Sequence, residues 1–366
     1  MKIKNAEIFK IRLPLISPFR TGFGEIKERI LVWLKLNDET GLTGYGESAN
    51  LEEPIYETEY NDATILLLKK ILVPRLIGKN IESIDQLIKT FTDIKGNNFA
   101  KAALDAAFWH IEMQKKNKPL WQLWGGVKLK IPVAISIGLD VDLQSSIKKV
   151  FSYIEKYSPK RAKIKIKPGI DIKLIAAIRK KYPKLPIMVD ANASYTLKDV
   201  EIFKKLDQFN LIMIEQPLSF DDLVDHSLLQ KEIKTPICLD ESIKSLHDAE
   251  QAVRIGACKI INIKPQRVGG YWQAKKIARF CQKHNIPVWC GGMIESGWGQ
   301  LFNSSIATLP NFKYENDICL TKWYLKDDIL ESPIAETNGH INVANLSFNI
   351  NFKKLNKFKK EIIKIT

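Results

Sequence analysis

No stretch of this chain stays apolar long enough to cross a membrane. The runs Leu66–Leu68 and Leu211–Ile214 meet charge within a few residues, far short of the ~20 apolar positions a spanning helix needs. The opening residues MKIKNAEIFKIRLPL alternate polar and apolar as a strand does and lack the unbroken apolar core of a secretory leader. A cytoplasmic protein is therefore expected. Histidine is scarce, at five, and forms no HxxxH or HxxEH pair. The cysteines (Cys238, Cys258, Cys281, Cys290 and Cys319) are odd in number and widely spaced. Free buried thiols fit this pattern better than a disulfide framework or a zinc site, and metal chemistry built on nitrogen and sulfur is disfavoured. No GxGxxG follows an early strand, which argues against a dinucleotide fold, and no segment is of low complexity.

What is abundant is positive charge. Lys and Arg number 56 against 41 Asp and Glu, a formal net charge of +15. Such an excess raises the question of nucleic acid or an anionic membrane. The lysines, however, are spread along the whole chain, with no RNP, helix-turn-helix or zinc-finger pattern among them. The densest group surrounds Phe352, Leu355, Phe358 and Ile362 with Lys353, Lys354, Lys357, Lys359 and Lys360 at helix-like spacing, and reads as the solvated face of a terminal element. The partner expected is a small carboxylate-bearing substrate drawn by the positive field, with neither nucleic acid nor membrane. A homo-oligomer is left open.

Residues 1–125 read as strands followed by helices, an α+β unit. Ile30–Leu36 is a strand, turns are expected at Gly41, Gly44 and Gly46, and helical periodicity runs over Thr58–Leu76, Ser83–Thr92 and Asn98–Lys115. From residue 126 to 320 strand and helix alternate. Strands are expected at Pro132–Ile137, Ala162–Ile166, Pro186–Asp190, Leu211–Glu215, Pro236–Asp240, Lys259–Lys264 and Pro287–Gly291, with a last one near Ile318–Leu320. Seven such units and a closing strand predict a (β/α)7β barrel, capped by the α+β domain, with residues 321–366 returning to complete that cap.

Against this frame, Lys165, Asp190, Glu215, Asp240 and Lys264 stand 25, 25, 25 and 24 residues apart, each closing an apolar strand. In a parallel barrel those ends share one rim. Three buried carboxylates cannot all stay ionised without counter-charge. A hard divalent cation supplies it, and an all-oxygen set suits Mg²⁺, with Mn²⁺ as a substitute, better than Zn²⁺. The rival reading, three isolated helix-capping anions, does not explain their common register. In the run Lys163-Ile164-Lys165-Ile166-Lys167 alternation puts the lysines inward and the isoleucines outward. Lys165 is then a candidate base and Lys163 a supporting cation, with Lys264 on the opposite flank. Asn192, Glu241 and Arg267 are supporting candidates, Arg267 either suppressing protonation of Lys264 or facing solvent. Ser136 and the Gly291, Gly292 and Met293 loop are candidate substrate contacts, the glycines letting backbone approach a ligand.

The stretches RAKIKIKPGID, MVDANASYTL, MIEQPLSFDDL, TPICLDESI, NIKPQRVGG and PVWCGGMIESGWG resemble the enolase superfamily, muconate-lactonising subgroup. Within it they look most like the family of o-succinylbenzoate synthases and N-acylamino acid racemases. PLISPFRTGFG and WYLKDDILESP extend the similarity to nearly the whole chain. The resemblance implies Mg²⁺ on Asp190, Glu215 and Asp240, with Lys165 and Lys264 flanking the substrate. It also implies a lid from the cap, including Phe19 and Phe23 and the segment around Ser48–Leu51. Implied activity is Mg-dependent dehydration of 2-succinyl-6-hydroxy-2,4-cyclohexadiene-1-carboxylate to o-succinylbenzoate, a menaquinone precursor, through an enediolate. Racemisation of N-acyl (N-succinyl) amino acids is the alternative, and a basic binding protein the non-enzymatic rival. A dipeptide epimerase fits less well, because no DxD follows the last barrel strand. Trp298 and Gln300 depart from the smaller apolar residue and arginine more usual in the family, which bears on substrate choice.

Overall fold

The computed structural model describes residues 1–21 and 24–365. Strands β1 (Ile3–Thr21) and β2 (Gly24–Asp38) form a long antiparallel hairpin, and β3 (Thr43–Ser48) adds to its far edge. Ile8, Leu34, Leu36 and their neighbours alternate into a dry core, as period-2 patterning demands. Helix α1 (Asn61–Leu67) runs straight into a π-helical turn at Leu68–Leu72, and α2 (Ile84–Lys89) starts at Ser83, whose hydroxyl accepts from the Gln86 amide. Helix α3 (Asn98–Lys116) lies directly on β3. Of the glycines expected in turns only Gly41 is one, at φ +89°; Gly44 and Gly46 sit inside β3, where a Cβ on Gly46 would fall 1.8 Å from the Ala103 carbonyl oxygen. Close backbone approach, not turn geometry, is what these two glycines allow.

After α4 (Leu120–Trp124) and β4 (Lys130–Pro132), strand and helix alternate. The pairs are β5 (Ile135–Ile137) with α5 (Leu143–Tyr157), β6 (Ala162–Lys165) with α6 (Asp171–Lys181), β7 (Ile187–Asp190) with α7 (Val200–Leu206), and β8 (Ile214–Glu215) with α8 (Val224–Glu232). They continue through β9 (Ile237–Leu239) with α9 (Leu246–Ile255), β10 (Ile260–Ile263) with α10 (Tyr271–Lys283), and β11 (Val288–Cys290) with α11 (Gly297–Ile306). Strands β5 to β11 make one parallel sheet in sequential order. It curls toward closure, because residues 312–317 lie between its two edges. Phe312 bridges Val288, Asn316 bridges Val133, and the Asp317 amide donates to the Cys290 carbonyl at 2.9 Å. The closing segment is thus earlier than the expected Ile318–Leu320 and forms bridges, not a regular strand. Its residues FKYEND alternate only through Phe312 and Tyr314 before giving way to Glu315-Asn316-Asp317, too short a pattern to mark a strand.

The chain then returns through α12 (Thr321–Tyr324), β12 (His340–Asn342), which pairs with β4, α13 (Phe352–Phe358) and β13 (Lys359–Ile365), which pairs antiparallel with β1. The lysine-rich tail is therefore helical only up to Phe358. Part of its charge is neutralised locally, Lys354 with Asp327 at 2.9 Å and Lys359 with Glu7 at 3.2 Å.

Candidate active site

Strand register builds the site. Lys165 on β6 stands beside Asp190 on β7, and Asp190 beside Glu215 on β8, so three of the five residues share one rung. Asp240 and Lys264 follow immediately after β9 and β10. Alternation sends Ile164 and Ile166 into the packing under the helices and turns Lys163 (2% exposed) and Lys165 (7%) inward; Lys167, past the strand end, is exposed.

These groups form one continuous network. Lys163 Nζ lies 2.8 Å from Asp190 Oδ2 and 2.8 Å from Glu215 Oε2, and donates to Glu215 Oε1 at 2.9 Å. Lys165 donates to the same Asp190 Oδ2 at 2.6 Å and to Asn192 Oδ1 at 2.5 Å. Asn262 Nδ2 donates to both Glu215 Oε1 at 2.9 Å and Asp240 Oδ1 at 3.0 Å, which joins the second acid to the third. On the far flank Lys264 Nζ stands 2.9 Å from Asp240 Oδ2. Arg267, 1% exposed, pairs with Asp240 Oδ1 at 2.5 Å, which places it in the network and not in solvent. Glu241 accepts from Asn192 Nδ2 at 2.9 Å.

The charges follow from this wiring. Burial would raise the Asp190 carboxyl, but the Lys163 and Lys165 ammoniums prevail and pull it down to about 2. Asp240, likewise buried, is held far below the usual carboxylate range by Arg267 and Lys264. Burial and the Asp190 charge push Glu215 up to about 8, and burial with Asp240 pushes Glu241 up to about 7. Burial works against the ammonium at Lys264, yet Asp240 raises it overall while Arg267 opposes that rise.

Glu241 Oε2 is buried without a hydrogen-bond donor, and the Lys163 ammonium 2.8 Å away is the counter-charge on Glu215 Oε2. Three buried acids in one network, with Lys163 shared between two of them and a neighbouring Glu241 oxygen left without a donor, are the donor chemistry of a hard cation such as Mg²⁺. Among the described residues no three His, Cys, Asp or Glu side chains converge at metal-ligand spacing, because Lys163 and Asn262 stand between the acids. A cation would be held by Asp190, Glu215 and Asp240 once Lys163 gave up part of its hold.

Above the acids is a cavity of ≈ 60 Å³ into which Lys165 and Lys264 both open, room for about four waters. Phe19, Ile26, Leu51 and Tyr56 close it from the cap, and Ser136, Gly292, Met293 and Ile294 line it from the barrel. Wider clefts lie elsewhere, one of ≈ 900 Å³ beside Tyr45 and Phe348, but they gather no such set of opposed charges. Phe23 lies outside the described residues. Gly291 does not line the cavity; its missing side chain makes room for the Asn262 amide, 2.3 Å from where a Cβ would sit. Trp298 and Gln300 are also away from it, fully buried in the seam between cap and barrel, where the Trp298 indole donates to the Tyr45 carbonyl at 3.1 Å. Their departure from the family pattern therefore bears on cap docking.

Three participants escaped the sequence reading. Tyr56 accepts from Lys264 at 2.7 Å and donates to Asp240 at 3.1 Å, but sits in a loop with no periodicity. Asp317 lines the cavity 3.7 Å from Lys163, on the unpatterned closing segment. Asn262 was detectable: it stands two before Lys264, as Lys163 stands before Lys165, and so shares its face.

This chain belongs to the enolase superfamily. Residues 147–347 match the enolase C-terminal domain-like family and residues 3–125 the mandelate racemase/muconate lactonizing enzyme N-terminal domain. An o-succinylbenzoate synthase of Enterococcus faecalis is 40% identical over 94% of this chain and 93% of its own length. An N-succinylamino acid racemase of Thermus thermophilus is 36% identical over 93% and 91%. A crystal structure of an enolase-superfamily member from Listeria innocua superposes with a TM-score of 0.94 at 37% identity, covering 100% of this chain and 99% of that one.

Proposed function

We propose that this chain is an o-succinylbenzoate synthase, dehydrating 2-succinyl-6-hydroxy-2,4-cyclohexadiene-1-carboxylate to the aromatic product. The observation that carries this reading is the pair of ammoniums, Lys165 and Lys264, opening into one cavity from opposite flanks of three linked carboxylates. Support comes from several synthases at 38–42% identity over 90–98% of the chain.

Mg²⁺ held by Asp190, Glu215 and Asp240 would supply the charge that makes a second negative charge on the substrate carboxylate tolerable. Lys165, oriented by Asn192, takes the proton from the carbon next to that carboxylate. The enediolate electrons then break the C–O bond at the neighbouring ring carbon, the hydroxyl leaves as water with the proton Lys165 has taken, and aromatisation drives the step. Lys264, kept cationic by Asp240, stays protonated and stabilises the developing anion. Cap residues Phe19, Ile26 and Leu51 exclude water from the enediolate.

The second reading, racemisation of N-succinyl amino acids, draws on the same geometry. An amine on each flank allows one to remove a proton and the other to return it to the opposite face. Arg267 favours this reading, because its guanidinium, sharing Asp240 with Lys264, opposes that lysine's hold on its proton. A side-by-side assay of both substrates with Mg²⁺ decides. A larger kcat/KM for the cyclohexadiene carboxylate supports the synthase, a larger one for the N-succinyl amino acid the racemase, and turnover of neither overturns both.

A further inference from the structure

Arg29 lies on β2 outside the acid network, and it is one of the largest side chains hidden from solvent, at 1% exposed. Its guanidinium is spent on main-chain carbonyls from two separate walls of the cavity. Nη2 donates to the Ala49 carbonyl and Nη1 to the Asn50 carbonyl at 3.1 Å, both at the start of the cap loop that carries Leu51 to the cavity. Nε donates at 3.2 Å to the carbonyl of Ile294, in the loop after β11 that carries Gly292, Met293 and Ile294 to the opposite side.

The barrel end of this clamp is strained. Ile294 has φ +54°, a left-handed conformation that a β-branched residue adopts only when its surroundings impose it. Three contacts hold it there: Arg29 on its carbonyl, Cys319 on its backbone amide, and Glu295, whose Oε2 accepts from the Met293 amide at 2.8 Å. Burial lowers the pKa of this guanidinium, with the nearby Glu295 and Glu47 carboxyls opposing the fall, to about 10, so it remains a cation at neutral pH. The planar fork with five N–H donors can serve three carbonyls in different directions, which the single nitrogen of a lysine cannot do.

We propose that Arg29 is a positioning residue for the reaction, a fork that locks the cap wall and the barrel wall of the substrate cavity in register and holds Ile294 in its strained, cavity-facing conformation. It touches neither substrate nor metal. Its removal therefore loosens substrate fit without changing the acids or lysines. This inference rests on the functional reading above, so wild-type turnover is measured in parallel.

The test is Arg29→Lys, which keeps the charge and loses the fork. KM for the cyclohexadiene carboxylate rises about tenfold or more, kcat changes far less, and Mg²⁺ affinity by calorimetry is unchanged. Arg29→Ala recovers saturably with millimolar guanidinium and not with urea, which has similar shape but no charge. In an Ile294→Gly background, where positive φ costs little, Arg29→Lys raises KM by a smaller factor. Hydrogen exchange shows segments 49–52 and 292–296 of Arg29→Lys loosening together, a readout that needs no activity. KM of Arg29→Lys within twofold of wild type, or loosening of one segment alone, overturns the proposal. Should Arg29→Ala fail to fold, the lysine variant decides by itself. A wild-type protein inactive on either substrate defeats the functional reading, while the exchange measurement still decides the clamp.

Discussion

Replacing Lys163 with methionine tests whether its ammonium is the resident counter-charge of the acid cluster. Methionine keeps most of the length and apolar stem and removes only the cation that touches Asp190 and Glu215 at 2.8 Å each. With Lys163 2% exposed, solvent screens little of this interaction. Breaking a buried pair by removing one partner costs ~3–5 kcal/mol, and Glu215, raised to about 8 and so largely protonated at neutral pH, leaves Asp190 as the one charge stranded, which puts the loss at the lower end, ~3 kcal/mol. An unfolding entropy of ~2.1 cal/mol/K per residue over 366 residues turns that into a drop in Tm of about 4 °C in chelator. Calorimetry with EDTA and then with excess Mg²⁺ reads both halves of the argument. The divalent ion takes up the vacated contacts, so Mg²⁺ raises the Tm of Lys163→Met more than that of wild type. Equal Tm values in EDTA, or an equal Mg²⁺ shift in both proteins, refutes the reasoning.

Lys264→Ala is expected to lower kcat by a factor of ~10²–10³ through loss of anion stabilisation, with circular dichroism unchanged; wild-type turnover in the variant removes this lysine from the mechanism. Gly46→Ala sets a methyl 1.8 Å from the Ala103 carbonyl oxygen and should destabilise the cap by at least ~3 kcal/mol; an unchanged denaturation midpoint contradicts the packing of β3 on α3. His110, 7% exposed, accepts the Tyr45 amide through Nδ1, and burial lowers its pKa from 6.5 to about 4. The unfolded imidazole takes a proton below 6.5 while the folded one does not until about 4, so stability falls as pH drops through that window, by up to about 3 kcal/mol. His110→Gln should lack this component; parallel urea titrations of the two proteins from pH 7 to pH 4 check the difference, and coincident pH profiles rule it out.

The rim of the barrel was legible in the sequence because each strand there is a short apolar run ended by a charge, and parallel register does the rest. IMVD, LIMIE, ICLD and IINIK need only be consecutive strands of one parallel sheet for their last residues to share a rim. Alternation likewise predicted that Lys163 and Lys165 face inward. The reading failed where no period exists. Residues 312–317 close the sheet through isolated bridges and the Asn316 side chain, whose Oδ1 accepts from the Cys290 amide at 2.9 Å, a role that leaves no hydrophobic signature. Tyr56 reaches Lys264 across 208 residues from a cap loop, a contact that only tertiary packing creates. Gly44 and Gly46 read as turn residues because glycine marks both turns and close packing; the helix facing them distinguished the two. The direction of Trp298 depended in the same way on the cap, since its neighbours Trp33 and Tyr45 come from β2 and β3.

The account stands most directly on Lys165 removing a proton with Mg²⁺ beside it. Turnover of the cyclohexadiene carboxylate should vanish when the wild-type enzyme is stripped with EDTA and return when Mg²⁺ is added. In Lys165→Ala, folded as judged by its Tm, it should stay absent under both conditions. Activity that survives chelation, or that Mg²⁺ restores to Lys165→Ala, would contradict the account.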